Sequence, residues 1–287
     1  MSAIVSIDQA LSDPVLLGAG LADISSWGTW IACLRAAFGL ELSEDDRKLF
    51  DAIAGGRNPP SQKVRELWAV VSRRSGKSRM AAAIAVYLAL FESHKGKLSA
   101  GEIGSVLVLA ASRAQAKNVF SYVVGFLEAS PILSQEIVSI AADTVKLRGN
   151  VEIAVASNSY RTIRGKSLLA CIFDEVSFWR DEQSAAPDLE TYRAALPALA
   201  TTNGMLIGIS SPYRKVGLLY QKHKDHFGVD SNEVLVVQGA TAAFNPLIDE
   251  SIIAQAMASD PEAAQSEWNA LFRSDLSQFL SDDGIII

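Results

Sequence analysis

A short loop at residues 72–78, with the sequence SRRSGKS, is the feature that most constrains the fold of this chain. An apolar run at 67–71 precedes it, and a run at 80–88 that is typical of a helix follows it. This layout predicts a phosphate-binding P-loop, in which backbone N–H groups and the helix N-terminus face the anion. The usual pattern is G-x-x-x-x-G-K-[ST], and Val71 stands where its first glycine belongs. In such a loop Lys77 reaches the β- and γ-phosphates, and the hydroxyl of Ser78 can hold Mg²⁺.

A second motif is an apolar strand at 168–173 that ends in two acidic residues, Asp174 and Glu175. Ligands of open α/β sheets bind at the carboxyl ends of the strands, so this pair is expected beside the phosphate loop. Alone, two acids after a strand are equally compatible with a solvated turn. Combined with the P-loop they predict ATP hydrolysis, with Asp174 holding Mg²⁺ through water and Glu175 polarising the attacking water.

Apolar and helix-like segments alternate along most of the chain, which predicts an α/β fold with a mostly parallel sheet and helices on both faces. The predicted strands are 67–72, 105–111, 151–157, 168–174, 204–210 and 233–238, and a hairpin is predicted between 143–147 and 151–155. The predicted helices are 78–92, 113–128, 190–199, 216–226, 248–258 and 261–272. A helical, lid-like extension is predicted at 1–58, an ATPase core at 59–275 and a tail at 276–287.

Composition sets limits on partners and location. A net charge of −6 argues against a surface that grips nucleic acid everywhere, although a local basic face remains possible. Lys215, Lys222 and Lys224 are the candidates for such a face. The chain has two cysteines, too few for a disulfide framework, and Cys171 is expected to be a core residue in a cytosolic protein. No apolar run of about 18 residues predicts a membrane span.

Further charged and hydroxyl groups could take part in phosphoryl transfer, which needs positive charge near the transferred group. Arg73 lies in the loop and Arg164 precedes a glycine just before the acidic strand, whereas Arg161 is interpreted as a solvated charge. Ser210 and Ser211 follow a predicted strand and either sense the γ-phosphate or form a simple turn. Three other pairs are interpreted as solvated groups rather than metal or catalytic sites: His223 with His226, Asp181 with Glu182, and Asp282 with Asp283.

Taken in order, these motifs resemble the N-terminal packaging ATPase domain of the large terminase subunit of tailed bacteriophages. The resemblance rests on the P-loop, the acidic strand, the Arg-Gly pair at 164–165 and the Ser-Ser-Pro turn at 210–212, and covers roughly residues 40 to 275. It implies a RecA-like (ASCE) P-loop ATPase that forms a ring, usually a pentamer, in the host cytoplasm. The ring would drive double-stranded viral DNA into a procapsid, with the portal ring and the small terminase subunit as partners, and would be absent from the mature virion.

The resemblance also implies roles for individual residues, with ATP and Mg²⁺ as cofactors. The catalytic group is Lys77, Glu175, the P-loop arginine Arg73 and an arginine finger, Arg164, that acts on a neighbouring subunit. The nucleotide-binding group is Ser72, Arg73, Arg74, Ser75, Gly76, Lys77, Ser78 and Arg79, with Gln62 as the adenine contact. The metal group is Ser78 and Asp174, and the coupling pair is Ser210 and Ser211.

Two alternatives remain at this point, and one activity is not expected. Another P-loop motor, such as a helicase, would need a second RecA-like lobe, for which the residues after Glu175 are too few. A nucleotide-binding assembly switch with little hydrolysis is the other alternative, and it does not need Glu175. Large terminases also carry a nuclease domain, but only a short tail follows the ATPase-like region, so no nuclease activity is expected in this chain.

Overall fold

One eight-stranded sheet organises the molecule, in the order β3-β4-β5-β2-β6-β7-β1-β8. The structure is a computed structural model that describes residues 5–179 and 187–273. The strands are β1 (Glu66–Val71), β2 (Gly104–Ala110), β3 (Ile137–Ile140), β4 (Thr144–Leu147), β5 (Val151–Ser157), β6 (Ser167–Asp174), β7 (Met205–Ser210) and β8 (Val234–Gly239). From β5 to β8 every neighbouring pair is parallel, while β3, β4 and β5 pair antiparallel. The mostly parallel sheet and the hairpin predicted from the sequence are thus confirmed.

Helices connect the strands and cover the sheet. They are α1 (Ile7–Ser12), α2 (Gly28–Ala37), α3 (Glu44–Asp51), α4 (Lys77–Leu90), α5 (Arg113–Ala129), α6 (Tyr160–Ile163), α7 (Pro187–Ala200), α8 (Leu218–His226), α9 (Thr241–Phe244), α10 (Glu250–Ser259) and α11 (Pro261–Asn269). The helix predicted at 261–272 ends earlier because Ala270 adopts a left-handed φ of 57° and donates its N–H to the carbonyl of Gln265. No helix in the described ranges is long and apolar enough to cross a membrane.

The sheet separates two hydrophobic cores, as the period-two alternation of a strand requires. Along β1, Leu67 and Ala69 face one core and Trp68 and Val70 face the other. The first core contains apolar residues of α1, α2, α4 and α5, and the second contains residues of α7 and α8. Helices therefore lie on both faces, and the carboxyl ends of the central parallel strands meet at one edge of the sheet.

The N-terminal segment is part of the first core. Ile7, Leu11, Trp30 and Phe50 are at most 1% exposed and belong to the same cluster as the residues of β1 and α4. The hydroxyl of Tyr87 donates to the carbonyl of Val5, which ties this segment to α4. Packing is therefore continuous across the boundary expected at residue 58. The expected tail at 276–287 and the acidic pairs at 181–182 and 282–283 lie outside the described residues.

Candidate nucleotide-binding site

The P-loop joins β1 to α4 and needs a glycine at one position. Gly76 has a φ of 78° and immediately precedes α4, and a Cβ atom there would lie 2.5 Å from the ring of Trp27. A left-handed conformation and this close approach together favour glycine. By contrast, Val71 is the last residue of β1, is fully buried and pairs with Gly239. The first glycine of the usual pattern is therefore replaced by a core strand residue.

Lys77 is held under the loop by protein groups. Its ammonium donates to the carbonyl of Ser72 at 2.8 Å and to the hydroxyl of Ser211 at 2.9 Å, and lies 3.5 Å from Oε1 of Glu175. Burial lowers the pKa of Lys77, while the carboxylates of Glu175 and Asp174 oppose that shift. A buried cation whose acidic neighbour lies at salt-bridge distance is well suited to exchange that neighbour for a phosphate.

Glu175 links the acidic strand to the turn after β7. It has a left-handed φ of 53°, and its N–H donates to the carbonyl of Ile209 at 2.7 Å. Its Oε2 accepts from the N–H of Ser211 at 3.1 Å and from the hydroxyl of Ser210 at 3.2 Å. A non-glycine residue in this conformation is strained, and such strain concentrates at functional sites. The structure thus brings the expected coupling pair into contact with the expected catalytic carboxylate.

Asp174 is buried at the end of β6 with an unsatisfied oxygen. The residue is 1% exposed, and its Oδ1 has no hydrogen-bond partner in the part of the chain that the structure describes. Burial and the charge of Glu175 raise the pKa of Asp174 to about 7, against the lowering effects of Lys77 and the Ser78 hydroxyl. A carboxylate oxygen beside a hydroxyl is the hard donor set that Mg²⁺ prefers. These two residues therefore fit a magnesium ion.

The arginines of the loop point in different directions. Arg73 donates its backbone N–H to the carbonyl of Glu267 at 2.8 Å, and its Nη2 lies 3.1 Å from Oε1 of the same residue. The guanidinium of Arg79 lies over the rings of Trp27 and Tyr122, at 6.0 and 5.4 Å from their centroids. Arg74 has a φ of 61°, and its carbonyl accepts from Asn245 at 2.9 Å. Arg73 is thus tied to α11, whereas Arg79 faces a pair of aromatic rings.

Two expected site residues lie away from the loop of their own chain. Arg164 stacks on Tyr160 at 5.3 Å and precedes β6, whereas Glu175 follows that strand. Arg164 does not line the cavity that lies over the P-loop. Gln62 is exposed and precedes β1, and the six residues of β1 separate it from the loop by about 20 Å. The structure does not place either side chain at the P-loop of the same molecule.

A cavity of about 1020 Å³ lies over the P-loop. Residues 73–79, Glu175 and Ser211 line it, so most of the expected site shares one space. Ser72, Asp174 and Ser210 are buried and do not line it. The remaining lining residues are Ala22, Asp23, Ser26, Trp27, Gln115, Asn118, Tyr122, Phe178, Phe244, Asn245 and Leu247. The volume is that of a typical small-molecule site.

Two of the basic and histidine candidates on α8, Lys222 and His223, are engaged in structural contacts. Lys222 is 12% exposed and its ammonium lies 2.7 Å from Oε2 of Glu66, which argues against Lys222 as a DNA contact. His223 hydrogen-bonds to Gln238 at 2.9 Å. Within residues 5–179 and 187–273, no group of three or more His, Cys, Asp or Glu side chains could hold a metal ion. The solvated interpretation of the histidine pair is corrected for His223, which is part-buried.

Comparison with known sequences identifies the family. A sequence model described as "Uncharacterized protein MJ0330, N-terminal P-loop domain" matches residues 41–270. This chain belongs to that P-loop family. No curated protein matches it.

Solved structures with the same fold are ATPase domains of phage large terminases. The domain from Thermus phage P74-26 shares 16% identity at a TM-score of 0.55, over 80% of this chain and 98% of that one. The HK97 bacteriophage large terminase shares 19% identity at a TM-score of 0.58, over 80% of this chain and 50% of that one. The large terminase of a thermophilic bacteriophage, in complex with ADP, shares 14% identity at a TM-score of 0.53, over 72% of this chain and 48% of that one.

These matches confirm the predicted α/β P-loop ATPase fold and its similarity to terminase ATPase domains. The chain spans about half the length of the HK97 protein and of the ADP-bound terminase. Structural similarity at such low sequence identity shows the fold alone. The chemistry follows from the residues of this chain.

Sequence reasoning missed the cavity residues that come from outside the motifs. Trp27 packs against the first hydrophobic core, and its ring also lies against Gly76 at the cavity. Gln115, Asn118 and Tyr122 lie three and then four residues apart on α5, which places them on one helix face. The sequence contains that spacing, but the spacing indicates a binding site only when α5 is known to border the P-loop.

Proposed function

We propose that this chain is the ATPase motor domain of a viral large terminase, which hydrolyses ATP with Mg²⁺ to move double-stranded DNA into a procapsid. The observation that carries the proposal is the position of the Glu175 carboxylate. It lies between the P-loop lysine at 3.5 Å and the N–H of Ser211 at 3.1 Å. A carboxylate held there by both the nucleotide loop and the next strand can report the state of the nucleotide while it orients water.

Different residues of the site bind the phosphates, orient the attacking water and hold the metal ion. The N–H groups of the loop and α4 bind the phosphates, and Lys77 exchanges Glu175 for the β- and γ-phosphates. Glu175, released from the lysine but still held by Ser210 and Ser211, orients the attacking water and accepts its proton. Ser78 and Asp174 would hold Mg²⁺, which when bound neutralises charge on the phosphate oxygens.

Hydrolysis is coupled to movement through Ser211, which contacts both Lys77 and Glu175. Loss of the γ-phosphate changes the position of the lysine and therefore the hydrogen bonds of this serine. The next residue, Pro212, accepts a hydrogen bond from Ser266 of α11 at 2.8 Å, so a shift of the turn is passed to that helix. This route gives the Ser210–Ser211 pair its coupling role.

The last part of the proposal concerns assembly of the chain into a ring. Arg164 does not line the cavity of its own molecule, so we assign it to the γ-phosphate of a neighbouring subunit in a ring. The ring would act in the host cytoplasm on the portal, with viral DNA and the small terminase subunit as partners. The three terminase structures similar to this chain support the P-loop ATPase fold of the proposed motor domain.

Replacement of Glu175 tests the hydrolytic role. Glu175→Gln is expected to bind ATP and to lose roughly two or more orders of magnitude in turnover, because proton transfer to a positioned base contributes about that much. Steady-state phosphate release and equilibrium ATP binding are the measurements. Glu128→Gln, an exposed carboxylate on α5, is the matched control and should hydrolyse ATP normally. Near-normal turnover in Glu175→Gln would refute the assignment.

A further inference from the structure

The cavity over the P-loop has one wall made of aromatic and cationic groups. We call Trp27, Arg79 and Tyr122 the aromatic shelf. The guanidinium of Arg79 lies 6.0 Å from the Trp27 ring centroid and 5.4 Å from that of Tyr122. Tyr122 is 39% exposed, so a flat ligand can reach its ring. Aromatic rings and guanidinium planes are the groups on which nucleobases stack.

An amide lies next to the shelf with an unused acceptor. Gln115 lines the same cavity from the first turns of α5, and its Oε1 is buried without a hydrogen-bond partner among the described residues. A buried acceptor without a donor is unfavourable, so a ligand that brings a donor gains from meeting it. Asn118, three residues further along the helix, lines the cavity as well.

Another part of the lining, which we call the α9 wall, consists of Phe244, Asn245 and Leu247 at the end of α9 and just after it. Phe244 is 2% exposed and packs on Trp30 at 4.8 Å between ring centroids. Asn245 donates to the carbonyl of Arg74 at 2.9 Å. Leu247 is 72% exposed and is the apolar contact this wall offers. Of these two parts of the lining, the shelf is therefore the one that offers stacking groups to a ligand.

We propose that the aromatic shelf and Gln115 form the subsite for the adenine base of the nucleotide; this rests on the proposed function of the P-loop. Arg79 directly follows Ser78, so a ligand whose phosphates are bound at residues 76–78 continues past the shelf. A glutamine amide matches the donor and acceptor that adenine presents at N6 and N7. Guanine presents two acceptors at the equivalent positions, which the Oε1 of Gln115 cannot satisfy.

Binding measurements with three ligands test the subsite. Calorimetry of the full chain with ATP, GTP and inorganic tripolyphosphate separates recognition of the base from recognition of the phosphates. Wild type is expected to bind ATP at least about tenfold more tightly than GTP, the discrimination of one bidentate pair. Gln115→Ala is expected to abolish this preference by weakening ATP binding. Tyr122→Ala is expected to weaken ATP and GTP alike, by roughly fivefold to a hundredfold, through lost stacking.

The controls separate failure of the subsite from failure of the function. Neither variant is expected to change tripolyphosphate affinity, and Ile252→Ala, on an exposed part of α10 outside the cavity lining, should leave all three affinities unchanged. The subsite is refuted if Gln115→Ala keeps the preference for ATP over GTP, or if Leu247→Ala, at the α9 wall, changes that preference instead. In either case, normal tripolyphosphate binding would still support the phosphate site. A wild-type protein that binds neither ATP nor tripolyphosphate overturns the proposed function and the subsite together.

Discussion

Lys222 neutralises the carboxylate of Glu66 at the start of β1. Both side chains are 12% exposed and lie 2.7 Å apart. Trp68 and Tyr192 donate to the same carboxylate at 2.8 and 2.7 Å. Burial disfavours the charged lysine, but its hydrogen bonds to Glu66 and Tyr192 raise its pKa overall. Because the folded-state pKa is raised, the stabilisation is present at neutral pH and is lost only as the pH rises through the folded-state pKa.

Removal of this lysine should leave a buried carboxylate without a counter-ion. Lys222→Met is expected to lower the free energy of unfolding by about 3 kcal/mol, the usual cost of breaking a buried pair. The double variant Lys222→Met with Glu66→Gln should recover a substantial part of that loss, because no charge then remains. Urea denaturation is the measurement, and Lys224→Met, exposed on the same helix, is the control. Equal loss in the single and double variants would contradict this account.

At the same scale, the sequence predicted residues whose chemistry depends on near neighbours in the chain. Lys77, Asp174 and Glu175 could be assigned because a strand and a loop position them locally. Trp27 and Gln115 could not, because their place in the cavity lining depends on which helices border the P-loop. The contact between Glu175 and the Ser210–Ser211 pair follows from β6 and β7 being adjacent in the sheet.

Among the elements, α11 connects the nucleotide loop to the turn after β7. Pro261 begins the helix and Asp260 caps it. From its last turns Glu267 contacts Arg73, and Ser266 donates to the carbonyl of Pro212. A short helix thus contacts both the P-loop and the turn whose shift the proposed mechanism passes to it.

Release of Arg73 from α11 should favour nucleotide binding. Its pair with Glu267 is exposed, at 60% and 41% for the two side chains, so it contributes at most about 1 kcal/mol. Glu267→Gln is expected to tighten ATP binding up to about fivefold, because the arginine no longer has a competing carboxylate. Calorimetric titration checks this, with Glu262→Gln on the same helix as control. Unchanged or weaker binding would show that Glu267 does not compete with the nucleotide.

The sequence predicted the strands that are completely buried, but it missed an exposed edge strand and two very short helices. The strands β1, β2 and β7 are buried along their whole length and stand out as apolar runs. The edge strand β3 was missed because residues 138–140 are exposed and its four residues carry little pattern. The helices α6 and α9 were missed because each has four residues, too few for a helical period.

For the whole molecule, the position of Arg164 bears on whether each subunit completes its own active site or depends on a neighbouring subunit. The eight-residue strand β6 lies between this arginine and the Glu175 of its own chain. Arg164 does not line the cavity over the P-loop of its own molecule, so we expect an arginine that serves the γ-phosphate from this position to come from a neighbouring subunit. Hydrolysis would then require contact between subunits.

Turnover should therefore depend on protein concentration. The rate of ATP hydrolysis per subunit is expected to rise as subunits associate and to fall by roughly three or more orders of magnitude in Arg164→Ala, as for other arginine fingers. Arg161→Ala, which removes the other guanidinium over the Tyr160 ring, is the matched control and should keep the wild-type dependence. A rate per subunit that is independent of concentration and of Arg164 would mean that each molecule completes its own active site. Hydrolysis would then depend on Glu175 and Lys77 of the same molecule and would not require assembly into a ring.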